Sequence, residues 1–283
     1  MRGINMKRTD FMGLAQLIQE KYHALTKSEK RIADYLLKNQ EQAVYQTMKD
    51  VTEAVKVGDA TLIRFSQKIG FHGFSDLKIA IAKEEFTSQY EGDNDRQFYD
   101  RILENQIKVL ESTRQLLDSE VVLLAIEALT KAKRIYIIGV GSSGLSAASL
   151  EKMLLRVGVH ANHIVDPHFQ AHALALLGPE DLVICFSLSG RTKDIHDSLK
   201  IAKENHTPII AITNFKSSPI AELGDIVLQT ANEEFFDGGS LAGKISQLFI
   251  SETLVRGYEI NNKIKTVELR EKVLRSIIDK VLD

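Results

Sequence analysis

The chain has 283 residues, enough for one large domain or two modest ones, and its 44% hydrophobic and 26% charged content is that of an ordinary globular protein. Cys185 is the only cysteine, which excludes an internal disulfide; no apolar run approaches a membrane span, and the first ten residues lack the apolar stretch of a secretory signal. A cytoplasmic setting without membrane contact is therefore expected, with Met6 standing as an alternative start to Met1. The net charge of −2 is unevenly spread: residues 1–80 carry 13 Lys+Arg against 9 Asp+Glu, and the remainder carries 23 against 29. That polarity fits a small basic module on an acidic body.

Residues 11 to 86 read as helices throughout. Ser28 is a candidate N-cap for a helix that places Ile32, Tyr35 and Leu36 on one face. Thr47 with Asp50 forms a variant capping box before a short helix with Val51, Ala54 and Val55 as its apolar stripe. Gly58 allows a tight turn, a helix from Asp59 to Ile69 follows, and Gly70 ends it. A fourth helix starts at Ser75, with Leu77, Ala80 and Ile81 inward. Short helix, tight turn, short helix is the pattern of a helix-turn-helix. In its second helix Leu62, Phe65 and Ile69 recur at buried spacing. Thr61, Arg64 and Lys68 recur on the other side, with Ala60 and Gln67 beside them. Such a face fits a major groove, where Arg64 and Gln67 reach base edges and Lys68 or Thr61 a phosphate. It also fits the solvated side of any amphipathic helix.

Residues 87–96 are polar and rich in breakers and read as a linker. They divide the chain into residues 1–86, a linker, and residues 97–283. Helical patterns follow over 98–117, 119–132 and 266–281, the first with Ile102, Ile107, Val109 and Leu110 and the last with Val267, Leu269, Val273, Leu274, Ile277 and Ile278. These apolar faces suit either subunit contacts in a homodimer or higher homo-oligomer, or buried core.

Between those helices lie two β-branched runs that end in serine-rich turns. Ile135–Ile138 runs into Gly139-Val140-Gly141-Ser142-Ser143-Gly144, and Leu182–Phe186 into Ser187-Leu188-Ser189-Gly190-Arg191-Thr192. Each is the βα junction of a parallel sheet, where ligands bind at the carboxyl ends of strands. Glycine permits close backbone approach, and free N–H groups at a helix start attract anions. Hydroxyls add neutral donors, so Ser142, Ser143, Ser187, Ser189 and Thr192 suit a phosphate held with little formal positive charge. Gly139-x-Gly141-x-x-Gly144, with Asp166 about twenty residues on, also fits a dinucleotide fingerprint. The second serine turn has no part in that fingerprint, so no nucleotide or other cofactor is expected. Cys185, inside the second run, reads as core. The histidines 160, 163, 168 and 172 have no accompanying cysteine and no HExxH spacing, so no metal site is expected.

The two serine turns resemble the SIS (sugar isomerase) domain, and Pro208–Asn214 with Ser218-Pro219-Ile220-Ala221 and Asp225 is similar to that domain's next strand and loop. The likeness covers roughly residues 118 to 260. The segments Val57–Phe65 and Ile69–Lys78 resemble the N-terminal helix-turn-helix of the RpiR family, bacterial regulators whose C-terminal half is a SIS domain. Gly58 stands where serine commonly caps the recognition helix, and Thr52 where alanine is usual at the helix crossing. The resemblance implies an all-α helix-turn-helix domain joined to a doubly wound α/β SIS domain. It implies operator DNA and a phosphorylated sugar, a hexose or amino-sugar phosphate, as partners, and no catalysis. It further implies that His168 meets the sugar, that Glu233 (or its neighbour Glu234) supplies an acid near it, and that Lys244 contacts phosphate. A phosphosugar aldose–ketose isomerase, with Glu233 and His168 as acid and base, is the alternative; it leaves the first eighty-odd residues without a purpose.

Overall fold

The computed structural model describes residues 13–44, 46–91, 97–231, 241–263, 266–276 and 278, and the chain forms two compact units that part between Arg96 and Gln97. The first unit is helical: α1 (Leu14–Lys21), a 3-10 turn (Tyr22–Ala24), α2 (Lys27–Lys38), α3 (Gln40–Ala43), α4 (Met48–Val55), α5 (Asp59–Ile69) and α6 (Phe74–Glu91). Ile18, Ile32, Leu36, Val51, Leu62, Phe65 and Leu77 are fully buried in one cluster. Each such side chain contributes about 1.5–3 kcal/mol by leaving water.

The helix ends explain the local sequence. Thr47 and Asp50 exchange both bonds of a capping box, as expected. At α2 the cap is Thr26, not Ser28. Thr26 Oγ1 accepts from Glu29 N–H, and the Glu29 carboxylate accepts from Thr26 N–H at 2.7 Å. Thr26-x-x-Glu29 supplies both halves of the box, whereas Arg31 stands three residues after Ser28 and cannot. The tight turn after α4 also differs from expectation. Gly58 has an ordinary φ of −83°, and the left-handed residue is Lys56 at φ 54°. Val57 N–H returns to Thr52 O at 2.9 Å and Lys56 N–H to Glu53 O, a Schellman ending with a lysine where glycine is usual. The Arg31 guanidinium donates to Lys56 O at 2.9 Å and helps to hold that conformation. Ala54 is exposed rather than inward, and α6 continues to Glu91, past the expected linker start at 87.

The second unit contains, among the described residues, a five-stranded parallel sheet in the order β2-β1-β3-β4-β5: β1 (Ile135–Ile138), β2 (Asn162–Ile164), β3 (Leu182–Phe186), β4 (Ile209–Thr213) and β5 (Ile226–Gln229). Helices cover both faces. Ile137, Ile184, Phe186, Ile210 and Ile212 pack with α8 (Ser119–Lys131), α9 (Ser142–Leu155) and α13 (Leu241–Asn261). Ile138, Val183, Cys185, Ile209 and Ala211 pack with α10 (Pro167–Leu174), α11 (Lys193–Glu204) and α12 (Pro219–Leu223). Double coverage is why these strands read as unbroken apolar runs rather than alternating ones. Burial pushes the Cys185 thiol up to about 12, which suits the core role expected of it. Helix α7 (Phe98–Leu116) packs on α13, and α14 (Thr266–Arg275) follows it. Val109 is buried, while Ile102 and Ile107 are exposed.

Candidate functional site

The strand order reverses between β1 and β3, which are direct neighbours. That is the topological switch point, the place outside whose carboxyl edge open sheets of this kind form a ligand crevice. Ile138 pairs with Cys185, so the two strands leave the sheet nearly level and their serine turns begin side by side. The first turn feeds α9 at Ser142 and the second feeds α11 at Lys193. Sequence placed both turns at βα junctions; the sheet order is what makes them adjacent.

Close packing fixes each turn. A Cβ on Gly139 would stand 2.6 Å from Ser143 O, so only glycine lets the strand end meet the helix start. Gly190 has φ +63°, and a Cβ there would fall 2.0 Å from Ser218 Oγ and 2.8 Å from Thr213 Oγ1. Within the second turn Gly190 N–H donates to Ser187 O and Arg191 N–H to Ser189 Oγ at 3.2 Å, while the Ser187 and Thr192 hydroxyls lie 3.4 Å apart. Asn214 N–H and Thr213 Oγ1 both donate to Leu188 O, and Ile220 N–H to Gly190 O, which ties the turn to β4 and α12. Ser187 is buried, Ser142 and Thr192 are half-buried and Ser189 is exposed, so the hydroxyls run from the sheet edge outward.

The helix starts differ in a telling way. Helices α8, α10 and α12 are capped by the side chains of Asp118, Asp166 and Ser218. Among the described residues, α9 and α11 have no side-chain cap, with Gly141 and Thr192 at their N-cap positions. Amide donors at a helix start with no cap are available to a ligand, and the helix dipole favours an anion there. Helix α7 also starts without a side-chain cap, at Gln97, but of the four helices that follow β1 to β4 the two uncapped ones are α9 and α11, the two that leave the serine turns.

Asp166 accepts from His168 N–H and Phe169 N–H, both at 3.0 Å. This gives the supposed ribose acid of the dinucleotide fingerprint a structural occupation. His168 is exposed on the first turn of α10, which follows β2. The Nδ1 of His163 lies 2.8 Å from Glu151 Oε2, and the His172 ring meets Phe169 edge to face, so these two histidines have structural partners. Lys244 is half-buried in the first turns of α13; Glu233 and Glu234 lie outside the described residues. Two buried amides that sequence reading did not select also reach the first serine turn. Gln170 Nε2 donates to Ile164 O at 2.9 Å and to Gly139 O, and Gln247 Nε2 donates to Ser143 Oγ at 3.1 Å. Their only signal in sequence is a polar side chain amid apolar helical positions.

In the helical unit, α5 presents Ala60, Arg64 and Gln67 to solvent, with Thr61 half-buried beside them. Arg64 Nη2 lies 3.4 Å from Thr61 Oγ1. The buried Thr52 hydroxyl bridges α4 to α5, its one hydrogen shared between Lys49 O at 3.1 Å and the Asp59 carboxylate at 3.2 Å. Lys68 stands apart from the other face residues. Its ammonium donates to Ala24 O at 2.6 Å and to the Glu29 carboxylate at 2.9 Å, so it staples α5 to the start of α2. Periodicity put Lys68 on the outer face; the length of its side chain lets it fold back to an acid that only tertiary structure brings near.

Comparison with known proteins matches residues 12–89 to the helix-turn-helix domain of the rpiR family and residues 128–256 to the SIS domain. An uncharacterised HTH-type transcriptional regulator of Haemophilus influenzae is 31% identical, over 91% of this chain and 94% of its own length. The HTH-type transcriptional regulator RpiR of Escherichia coli is 28% identical, over 84% and 83%. Among solved structures, the Vibrio vulnificus NanR protein complexed with ManNAc-6P is similar with a TM-score of 0.76 and 25% identity, over 96% of this chain and 100% of that one.

Proposed function

The chain belongs to the rpiR family of helix-turn-helix transcriptional regulators with a SIS domain, and from that premise we propose that its serine turns hold the phosphate of a sugar effector. The observation that carries this reading is the pair of uncapped helix starts, α9 and α11, side by side at the switch point with hydroxyls around them. Ser142, Ser143, Ser187, Ser189 and Thr192 donate to the phosphate. His168, at the mouth of the neighbouring β2–α10 junction, meets the sugar. Lys244, one turn before Gln247 on α13, brings a positive charge toward the same edge. Glu233, outside the described residues, has the role of the acid near the sugar. The NanR relative holds ManNAc-6P, so amino-sugar 6-phosphates are the first candidates. Ala60, Thr61, Arg64 and Gln67 face operator DNA, and the chain acts as a cytoplasmic homo-oligomer without turnover of its effector.

A thermal-shift screen of hexose and amino-sugar phosphates tests this. A ligand at 100 times its dissociation constant stabilises the native state by about 2.7 kcal/mol. The wild type should respond to one sugar phosphate and not to the free sugar, and Ser142→Ala with Ser189→Ala should abolish the response. Tight NAD binding, equal response to the unphosphorylated sugar, or conversion of the effector to an isomer would each overturn the assignment.

A further inference from the structure

Gln247 is fully buried on α13, yet it reaches across to the start of α9. Its Nε2 donates to Ser143 Oγ at 3.1 Å, and its Oε1 accepts from Ser146 Oγ at 2.6 Å. Ser146 is 1% exposed, whereas Ser143 keeps 9% exposure at the first serine turn. The hydroxyl of a serine has one hydrogen and two lone pairs. With one lone pair of Ser143 Oγ filled by the amide, its hydrogen points away from Gln247. The two distances set the sense of the amide: 2.6 Å to Ser146 suits an O–H···O bond to Oε1, and 3.1 Å to Ser143 suits an N–H···O bond from Nε2. The reversed amide would place Oε1 against Ser143 and draw the Ser143 hydrogen inward.

We propose that Gln247 is a positioning residue that makes Ser143 a hydrogen-bond donor toward an anion in the crevice. The proposal rests on the reading that the serine turns hold phosphate. It adds that the donor sense of the first turn is set from α13, the helix that also carries Lys244. A buried glutamine serving packing alone would be satisfied equally well in either sense, and the ligand would not register the difference.

The test uses the full chain, with inorganic phosphate as probe, read by 31P NMR titration, and unfolding midpoints measured alongside. In Gln247→Glu the carboxylate can only accept, so it takes the Ser143 hydrogen and adds a like charge. Phosphate affinity should fall roughly 10- to 100-fold at pH 7.5. Burial raises such a carboxyl, and once neutral it donates as the amide does. The deficit relative to wild type should therefore shrink at pH 5.5. Gln247→Met fills similar volume without either bond; it should weaken phosphate about 2- to 10-fold at both pH values, and it decides the matter if Gln247→Glu does not fold. Should both variants bind phosphate as the wild type does while Ser143→Ala binds weakly, the positioning role is overturned and the phosphate site stands. A Gln247→Glu deficit that is the same at both pH values also overturns it. If the wild type itself shows no phosphate binding, the site and the positioning role fall together.

Discussion

Gly190 shows how little freedom one residue of the second serine turn has. Its φ of +63° and the 2.0 Å that would separate a Cβ from Ser218 Oγ both forbid a side chain. Gly190→Ala should displace the turn from β4 and α12, cost about 1–3 kcal/mol in backbone strain, and remove the thermal response to sugar phosphate. A variant that kept full response would show that the turn does not shape the site. At the opposite edge of the sheet, Asp181 takes two bonds from the Arg134 guanidinium, at 2.9 and 2.6 Å, and one from Gly178 N–H. The Arg134 hydrogen bonds hold this carboxyl below its ordinary range, against the opposing effect of burial. A depressed folded pKa adds stability that is fully present above the unfolded value, about 3.9, and is lost as pH falls through the folded value. Asp181→Asn should therefore lower stability by roughly 1–2 kcal/mol at neutral pH, with half-exposed Arg134 limiting the effect. The gap in unfolding midpoint should be level from pH 8 to 5 and close below about pH 4. A gap that persisted at pH 2 would mean that the ionised pair is not its source.

Among elements, α5 divides its outer face between two tasks. Arg64 and Gln67 are exposed, while Lys68 is committed to Ala24 O and Glu29. Glu29 in turn closes the capping box of α2, so the staple ties the start of one helix to the end of another. Burial by itself would raise the Glu29 carboxyl. The bonds from Thr26 and the Lys68 ammonium outweigh it and hold the group below its usual value. Substitutions of neighbouring residues should thus read out differently. Arg64→Ala should leave stability almost unchanged and weaken specific operator binding by about 1–3 kcal/mol. Lys68→Met should lower the unfolding midpoint and leave the salt dependence of DNA binding unaltered. A drop of about one in the slope of log affinity against log salt for Lys68→Met would instead make Lys68 a phosphate contact.

For the whole molecule, the consequence of carrying a DNA-reading unit and an effector unit in one chain is linkage. Any difference in effector affinity between DNA-competent and incompetent states must appear equally in operator affinity. Saturating the protein with the sugar phosphate from the thermal screen should change operator affinity by about 5- to 150-fold. An unchanged dissociation constant would separate the two units functionally and remove the sensor role. If it binds as a dimer, the protein should protect a palindrome whose half-sites lie about 34 Å, or a multiple of that, apart. Among the described residues no helix is long and apolar enough to cross a membrane.

The sequence by itself determined what local chemistry dictates. The Thr47–Asp50 box, the ends of α5 at Asp59 and Gly70, and the buried set Leu62, Phe65 and Ile69 all follow from caps and helical period. So does the placement of both serine turns at strand ends, because continuous β-branched runs that stop at small residues admit few other structures. Two local choices went otherwise because candidates compete at close range: Thr26 displaced Ser28 by offering a complete box, and Lys56, not Gly58, took the left-handed turn. Only the tertiary structure decided which groups from distant segments meet. It set the β1–β3 adjacency, left the starts of α9 and α11 uncapped, brought Lys68 to Glu29 across 39 residues, and placed Gln247 on Ser143 across 104. Such pairings leave no periodic trace along the chain, since a buried amide or a folded-back lysine is selected by a partner that sequence distance hides.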